Sequence, residues 1–219
     1  DNFIKNLLLD NLLLVDIYTR AKKLHIKNNA HRIVILIEAA EKKDSAIGDI
    51  LRNIFPDKTK DFVTAVDEGS VILVKELMSN SMEEAEQYAK IIYDTLSAEA
   101  MSTVYIAVGT IVNDLKDVSN SYKEASMALE VGKIFNCEGH ISYYSKLGIG
   151  RIAYQLPLSL CKMFIDEVLK GKKVSSFDEE TLMTVNKFFE NSLNVSETSR
   201  QLYIPVSYTH LTLPTIYSV

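Results

Sequence analysis

Three carboxylates, Glu38, Asp67 and Glu68, could meet at one end of a predicted sheet. Glu38 follows the apolar run Ile33–Ile37, and Asp67 and Glu68 lie in the turn of a predicted hairpin. Carboxylates placed in this way could hold Mg²⁺ against the phosphates of a nucleotide. The alternative is that Asp67–Ser70 is a solvated turn, since Asp and Gly are ordinary turn residues. We favour the turn, and we predict no catalytic, cofactor-binding or metal-binding residue.

The histidines and cysteines indicate no second site. His25, His31 and His140 are scattered, without a partner at metal-ligand spacing. Cys137 and Cys161 show neither metal spacing nor the pattern of a disulfide framework, which fits a reducing compartment such as the cytosol. We expect Cys161 to be a buried, inert thiol. It belongs to a predicted apolar helix stripe made of Leu158, Cys161, Phe164 and Ile165.

The segment Asn194–Ile204 is typical of the first half of a helix-turn-helix, a motif whose second helix enters the major groove of DNA. The predicted supporting helix, Glu179–Asn191, would turn an apolar face to the core. The first helix of the motif would be Glu197–Tyr203, with Ser196 as its N-cap. The candidate DNA-contacting residues of this partial motif are Ser196, Thr198 and Arg200. The supporting apolar face would consist of Leu182, Val185, Phe188 and Phe189.

The final residues, Pro205–Val219, contain no Lys, Arg, Asp or Glu. Pro214 and the β-branched residues disfavour a recognition helix, and without Arg or Lys such a helix would lose most electrostatic affinity for DNA. The stretch PVSYTHLTLPT can be back-translated into a sequence that resembles the transposon adapter of short-read sequencing libraries. We therefore expect residues 205–219 to be adapter read-through and the native information to end near Ile204. A natural tail is the alternative.

The bulk composition describes a globular protein without a global nucleic-acid footprint. The chain has 219 residues, 47% of them hydrophobic, and a formal net charge of -5, so any DNA contact must be local. The apolar run Leu7–Val15 contains Asp10 and Asn11 and is too short and polar to span a membrane. No basic region precedes it, so we expect no signal peptide. The chain starts at Asp1 rather than Met, which suggests missing upstream sequence.

The order of predicted elements indicates an α+β domain followed by helices. Apolar periodicity and turn signals give β-α-β-β-α-β-α-β, of which the first six elements form a split βαβ arrangement, an antiparallel sheet with helices on one face. The predicted elements are helix Asn2–His25, strand Ile33–Ile37, helix 44–54, strands Phe62–Val66 and Val71–Lys75, a helix opened by the capping box Ser81–Glu84, strand Val104–Val108, helix Ser119–Phe135, strand Ile141–Tyr144, and helices Leu158–Lys170 and Glu179–Asn191.

Several motifs give this order a family resemblance. FIKNLLLDN at the start, SYKEASMAL, YYSKLGIGRIAYQLP and TLMTVNKFFENSLNVSETSRQLYI resemble transcriptional regulators of the carbohydrate diacid (CdaR/PucR) type over residues 1–204. The resemblance implies a GGDEF-like domain, related in fold to nucleotide cyclases, then a C-terminal helix-turn-helix. The implied division is 1–25 connecting helix, 26–150 GGDEF-like domain, 151–177 helix and linker, 178–204 start of the helix-turn-helix domain, and 205–219 the tail.

The resemblance also implies a function. It implies a cytoplasmic, homodimeric regulator that binds DNA when complete and has no membrane segment. The regulator would respond to an effector, such as a sugar diacid, through a missing upstream domain. The hairpin Val66–Ser70 lacks the two glycines that let a nucleotide approach a cyclase hairpin. We therefore expect a non-catalytic relay and dimerisation module, not an enzyme. The alternative is a nucleotide-binding or weak cyclase-like domain that uses Glu38, Asp67 and Glu68.

Overall fold

The computed structural model describes residues 2–39, 46–67, 69–99, 103–134, 140–170, 176–191 and 193–205. The chain divides into two compact units, Asp1–Tyr154 and Gln155–Val219. No helix in the described ranges is long and apolar enough to cross a membrane.

The first unit contains both strands and helices, and the described elements that lie in the second unit are helices. The strands are β1 Asn29–Ala39, β2 Phe62–Thr64, β3 Ser70–Glu76, β4 Val104–Val108, β5 Val112–Asp114 and β6 Ile141–Tyr143. The α-helices are α1 Asn2–Leu8, α2 Leu14–Lys23, α3 Ala46–Ile54, α4 Met82–Glu99, α5 Val118–Ile134, α6 Gly150–Gln155, α7 Leu158–Val168, α8 Glu179–Glu190 and α9 Val195–Leu202.

The sheet confirms the α+β class and the split βαβ arrangement. Its strand order is β2-β3-β1-β4-β6, with β5 paired to β1. The central strand β1 runs antiparallel to both β3 and β4, while β4 and β6 are parallel. Strands β1 and β2 flank β3, so the βαβ unit that α3 connects is split by a strand inserted between them.

Alternate side chains of β1 supply two hydrophobic clusters, one on each face of the sheet. Ile33, Ile35 and Ile37 face helices α3 and α4. Val34 and Leu36 belong to the other cluster, with side chains of α1, α2 and α5. A continuous apolar run is typical of such a doubly buried strand. The helices of the split unit, α3 and α4, share one face as expected, and α5 covers the other.

The predicted single N-terminal helix is wrong, because a non-helical segment separates α1 from α2. Asp10 adopts a left-handed conformation with φ 60°. The amides of Asp10 and Asn11 donate to the carbonyls of Leu7 and Asn6, at 3.2 and 3.0 Å, and so close the end of α1. Asp and Asn tolerate this conformation better than most residues do.

The predicted capping box at Ser81 forms only in part. Ser81 Oγ accepts a hydrogen bond from the Glu84 amide at 3.4 Å. The Glu84 carboxylate does not return to Ser81 but accepts from the amides of Met78 and Ser79, at 3.0 and 3.1 Å. It therefore ties the loop before α4 to the first turn of the helix.

The second unit buries less than its periodicity predicts. Leu158 and Phe164 of α7 are 72% and 63% exposed, and Cys161 is half-buried, so the predicted buried stripe is wrong. On α8, Phe188 is buried, whereas Leu182 and Phe189 are exposed. The apolar periodicity identified the face of each helix but not its burial.

Candidate functional site

The sheet brings Glu38 next to the β2–β3 hairpin. Glu38 is the penultimate residue of β1 and pairs across the strands with Ser70, the first residue of β3. The turn that contains Asp67 lies immediately before Ser70 along the chain. The structure thus places two of the three predicted carboxylates at the same end of the sheet, while Glu68 lies outside the described residues.

The Glu38 carboxylate is occupied by a lysine of α5. Lys133 Nζ donates to both carboxylate oxygens, at 2.9 and 2.8 Å, and it also lies 3.6 Å from Glu130. The side chains of Glu38 and Lys133 are each 31% exposed. Partial burial lowers the pKa of Lys133, but its hydrogen bond to Glu38 and the nearby negative charges outweigh burial, so the pKa lies above its ordinary value. The ammonium therefore stays protonated and occupies the position where a cation could bind.

The Asp67 carboxylate closes its own turn. Asp67 Oδ1 accepts hydrogen bonds from the Gly69 amide, the Ser70 amide and the Ser70 hydroxyl, each at 2.9 Å. This is the side-chain-to-backbone pattern of an Asx turn. One oxygen that accepts three hydrogen bonds has little capacity left for a metal ion.

Among the described residues, the carboxylates at this end of the sheet do not form a metal-binding cluster. Mg²⁺ needs free carboxylate oxygens together with substrate phosphates. Within the described ranges, no group of three His, Cys, Asp or Glu side chains could hold a metal ion. The two placed carboxylates are engaged by Lys133 and by the turn amides, so this end of the sheet is suited to holding the hairpin and α5 in position.

The three histidines named above lie at separate places in the first unit, His25 after α2, His31 on β1 and His140 before β6. His31 Nδ1 lies 2.6 Å from Asn113 Oδ1. His140 stacks on Tyr93 with ring centroids 5.6 Å apart and lies 5.5 Å from the ring of Tyr105. His25 follows α2 with a left-handed φ of 57°.

Helix α9 begins two residues earlier than predicted, at Val195 rather than Glu197. Asn194, not Ser196, is the N-cap, and its side chain accepts from the Glu197 amide at 3.0 Å. Ser196 is exposed at the first turn. The helix ends at Leu202, before Tyr203 in a left-handed conformation.

The other two candidate DNA-contacting residues differ in exposure. Thr198 is fully buried, and its hydroxyl donates to the Asn194 carbonyl at 2.8 Å. Arg200 is 78% exposed and pairs with Glu197 at 2.7 Å on its own helix. Of the three candidates, Ser196 and Arg200 therefore present side chains to solvent.

Two buried cations were missed by sequence reasoning. Lys75 Nζ lies 2.9 and 3.0 Å from the Asp61 carboxylate oxygens and 4.7 Å from the ring centre of Tyr88. Arg32 is fully buried and donates to the Lys27 carbonyl at 2.7 Å and to Glu76 at 3.3 Å. A cation next to a run of apolar strand residues, as in VILVK and RIVIL, is the signal that could have identified both.

Comparison with known proteins places the first unit in a family. The sequence model of the GGDEF-like domain family matches residues 11–131. The purine catabolism regulatory protein of Bacillus subtilis (strain 168) is 26% identical over 110 residues, which cover 50% of this chain and 21% of that protein. The match therefore spans about a fifth of the length of this curated relative.

A solved structure shares the fold. The regulator of polyketide synthase expression from Bifidobacterium adolescentis superposes with a TM-score of 0.50 at 12% identity, covering 99% of this chain and 82% of that one. The sequence matches confirm the resemblance to regulators of the PucR/CdaR type in its GGDEF-like domain. At this identity the structural match supports the fold alone.

Proposed function

Because this chain belongs to the family of GGDEF-like domains, we propose that it is part of a DNA-binding transcriptional regulator and that its GGDEF-like domain is a relay and dimerisation module. The relatives named above are regulators of purine catabolism and of polyketide synthase expression. The observation that carries the non-catalytic assignment is the engagement of the two carboxylates. Glu38 is paired with Lys133, and Asp67 is bonded to its own turn.

The proposed division follows the predicted domains. Residues 1–25 connect to an upstream effector-binding domain, for which a sugar diacid is the proposed ligand class. Residues 26–150 form the GGDEF-like relay, 151–177 a connecting segment, and 178–204 the start of a helix-turn-helix domain. Paired half-sites in DNA require two-fold symmetry, so the regulator acts as a homodimer in the cytosol.

The proposed DNA contacts come from α9 and the helix that should follow it. Ser196 and Arg200 would contact phosphates, because they are the exposed candidates on this helix. The tail hypothesis concerns residues 205–219, of which 206–219 lie outside the described ranges. The proposal is that a basic second helix stands after Ile204 in the native protein and that this chain does not bind DNA specifically.

A mobility-shift assay tests the DNA part of the proposal. The gene is re-amplified from source DNA, read through codon 204, and expressed both as written and with its native continuation. We expect the continued protein to shift its upstream DNA at physiological salt and the written chain not to do so. A specific shift by the written chain, or a source gene that encodes residues 205–219 as written, would contradict this part.

The alternative function, nucleotide binding by Glu38, Asp67 and Glu68, is favoured by one observation, the pairing of Glu38 with Ser70 beside the hairpin. Calorimetry of the chain with GTP and Mg²⁺ separates the two functions. The relay proposal predicts no heat of binding. Heat that disappears in both Glu38→Gln and Asp67→Ala, but persists in the matched exposed-carboxylate variant Glu190→Gln, would establish the alternative.

A further inference from the structure

A cavity of about 350 Å³ lies in the first unit, away from the hairpin end of the sheet. Side chains of α1, of the segment after α2, of the end of α3 and of β2 form its walls. Three aromatic rings contribute to these walls, from Phe3, Phe55 and Phe62. Its size falls in the range of small-molecule sites, which are typically apolar with a few placed polar groups.

The charged residues of the lining leave a positive balance. Asp61 is 7% exposed at its side chain and is neutralised by Lys75, with its two oxygens 2.9 and 3.0 Å from the ammonium. The two other charged residues that line the cavity, Arg52 and Lys58, are cations.

The two cations retain donors for a ligand. Arg52 Nη1 donates to Asp49 at 2.9 Å, and a guanidinium has five N–H donors in all. Lys58 Nζ forms no ion pair with any residue in the described ranges. Each cation is exposed enough to move toward an incoming anion.

We propose that this cavity binds a small organic anion with a flat, apolar body. The aromatic rings would pack against the body, and Arg52 and Lys58 would bind the anionic group. The pairing of Asp61 with Lys75 removes the repulsion that a free carboxylate would exert. Such a site would give the GGDEF-like domain a ligand input of its own, beyond the effector of the proposed upstream domain.

Because of where the cavity lies, a bound ligand would contact both the N-terminal helix and the sheet. Phe3 and Ile4 come from α1, whereas Phe62 and Val63 come from β2. A ligand between them would hold the N-terminal helix against the sheet. Binding at this place would therefore be transmitted to the segment that leads into the domain.

Titration calorimetry of the full chain with naphthalene-2-sulfonate tests the site, with naphthalene-2-methanol as the matched neutral probe. We expect the anion to bind about tenfold more tightly than the alcohol, because hydrogen bonds to charged groups contribute more to affinity. Added salt should weaken the binding of the anion and leave the affinity for the alcohol unchanged. Equal affinities for the two probes, or no binding of the anion at about millimolar concentration, would overturn the proposal.

Two sets of variants locate the binding. The double variant Arg52→Gln/Lys58→Gln should lower the affinity for the anion about tenfold and leave the affinity for the alcohol unchanged. The control Arg20→Gln/Lys60→Gln should change neither affinity. Leu24→Trp should fill the cavity and abolish the binding of both probes. Leu24 is 52% exposed, so the larger side chain can be accommodated without unfolding. Anion affinity that is the same in both double variants, or probe binding that survives Leu24→Trp, would place the binding elsewhere and overturn the proposal.

Discussion

The two compact units differ in what covers their apolar side chains. In Asp1–Tyr154, both faces of the sheet are packed under helices, and side chains such as Ile35 and Leu96 are completely buried. In the described part of Gln155–Val219, Phe188 is the only buried apolar side chain. Helix α7 has no buried residue in the described ranges.

This difference separates two ways of stabilising helices. The helices of the first unit are held by burial against the sheet, the dominant favourable contribution to folding. In the second unit, α8 and α9 are supported by polar caps, with Asp178 accepting from the Thr181 amide and Asn194 from the Glu197 amide. Exposed apolar patches are typical of interaction surfaces. Helix caps contribute less to the free energy of unfolding than a buried core does. We therefore expect the second unit to be the less stable one.

The largest expected effect comes from one matched pair of leucines. Leu96→Ala in α4 removes a fully buried side chain and should lower the free energy of unfolding by about 4 kcal/mol. Leu158→Ala in α7 removes a side chain that is 72% exposed and should change it by less than about 0.5 kcal/mol. Urea denaturation followed by circular dichroism measures both. A large loss in Leu158→Ala would show that α7 is covered in solution.

The next comparison concerns ion pairs. Lys75 and Asp61 are 10% and 7% exposed, so Asp61→Ala leaves a buried ammonium unpaired and should cost about 3 kcal/mol. Adding Lys75→Met to Asp61→Ala should recover part of this loss. In the second unit, Lys187 and Glu190 are 37% and 61% exposed, and Glu190→Ala should cost less than about 0.5 kcal/mol because solvent screens the pair. Similar losses in the two single variants would refute the comparison.

Two carboxylates that accept amide hydrogen bonds should make stability depend on pH in the acid range: Glu84, which binds the loop before α4, and Asp178, which caps α8. Burial raises the pKa of Glu84, but hydrogen bonds from Met78 and Ser79 outweigh it, and the pKa lies below its ordinary value. The hydrogen bonds of Thr181 lower the pKa of Asp178. A depressed pKa stabilises the fold above the ordinary pKa, and this stability is lost as pH falls through the folded value.

Paired variants test this pH dependence. Glu84→Gln should be less stable than the parent at about pH 6 and equal to it at about pH 2.5, measured by urea denaturation. Asp178→Asn keeps a cap acceptor, so it should lose only the pH dependence, and the effect should be seen in amide exchange of α8. A Glu84→Gln variant whose deficit persists undiminished at acid pH would show that ionisation of Glu84 is not the cause.

Much of the first unit could be predicted from the sequence because burial there follows the pattern of side chains. The bounds predicted for β4, Val104–Val108, are those of the structure. The break at Asp10 depends on one residue's left-handed conformation, and β5 pairs with β1 through a register shift. A three-residue strand with such irregular pairing leaves no periodic signal.

The sequence predicted where the candidate carboxylates lie but not which groups pair with them. The hairpin and the strand end at Glu38 follow from local patterns, so their proximity could be inferred. The partner that occupies Glu38 is Lys133, which lies 95 positions away in the chain. A pairing over that separation is set by how α5 packs on the sheet. In α7, periodicity identified an apolar face but could not say what covers it.

The smallest expected effect concerns two residues in the left-handed conformation. His25 follows α2 with φ 57°, and Tyr203 follows α9 with φ 56° and is 95% exposed. Replacing either with Gly removes a backbone cost of about 1–2 kcal/mol, offset in part by the entropy that glycine loses on folding. We expect a net gain of about 0.5 kcal/mol for each.

The two gains in stability should be detected by different measurements. His25→Gly should raise the free energy of global unfolding in urea, because α2 packs into the core through Ile17 and Ala21. Tyr203→Gly should slow the exchange of α9 amides without changing global unfolding, because we expect the second unit to open independently of the first. A Tyr203→Gly variant that raises global stability as much as His25→Gly does would mean that the two units unfold together, and the contrast between them would then be one of burial alone.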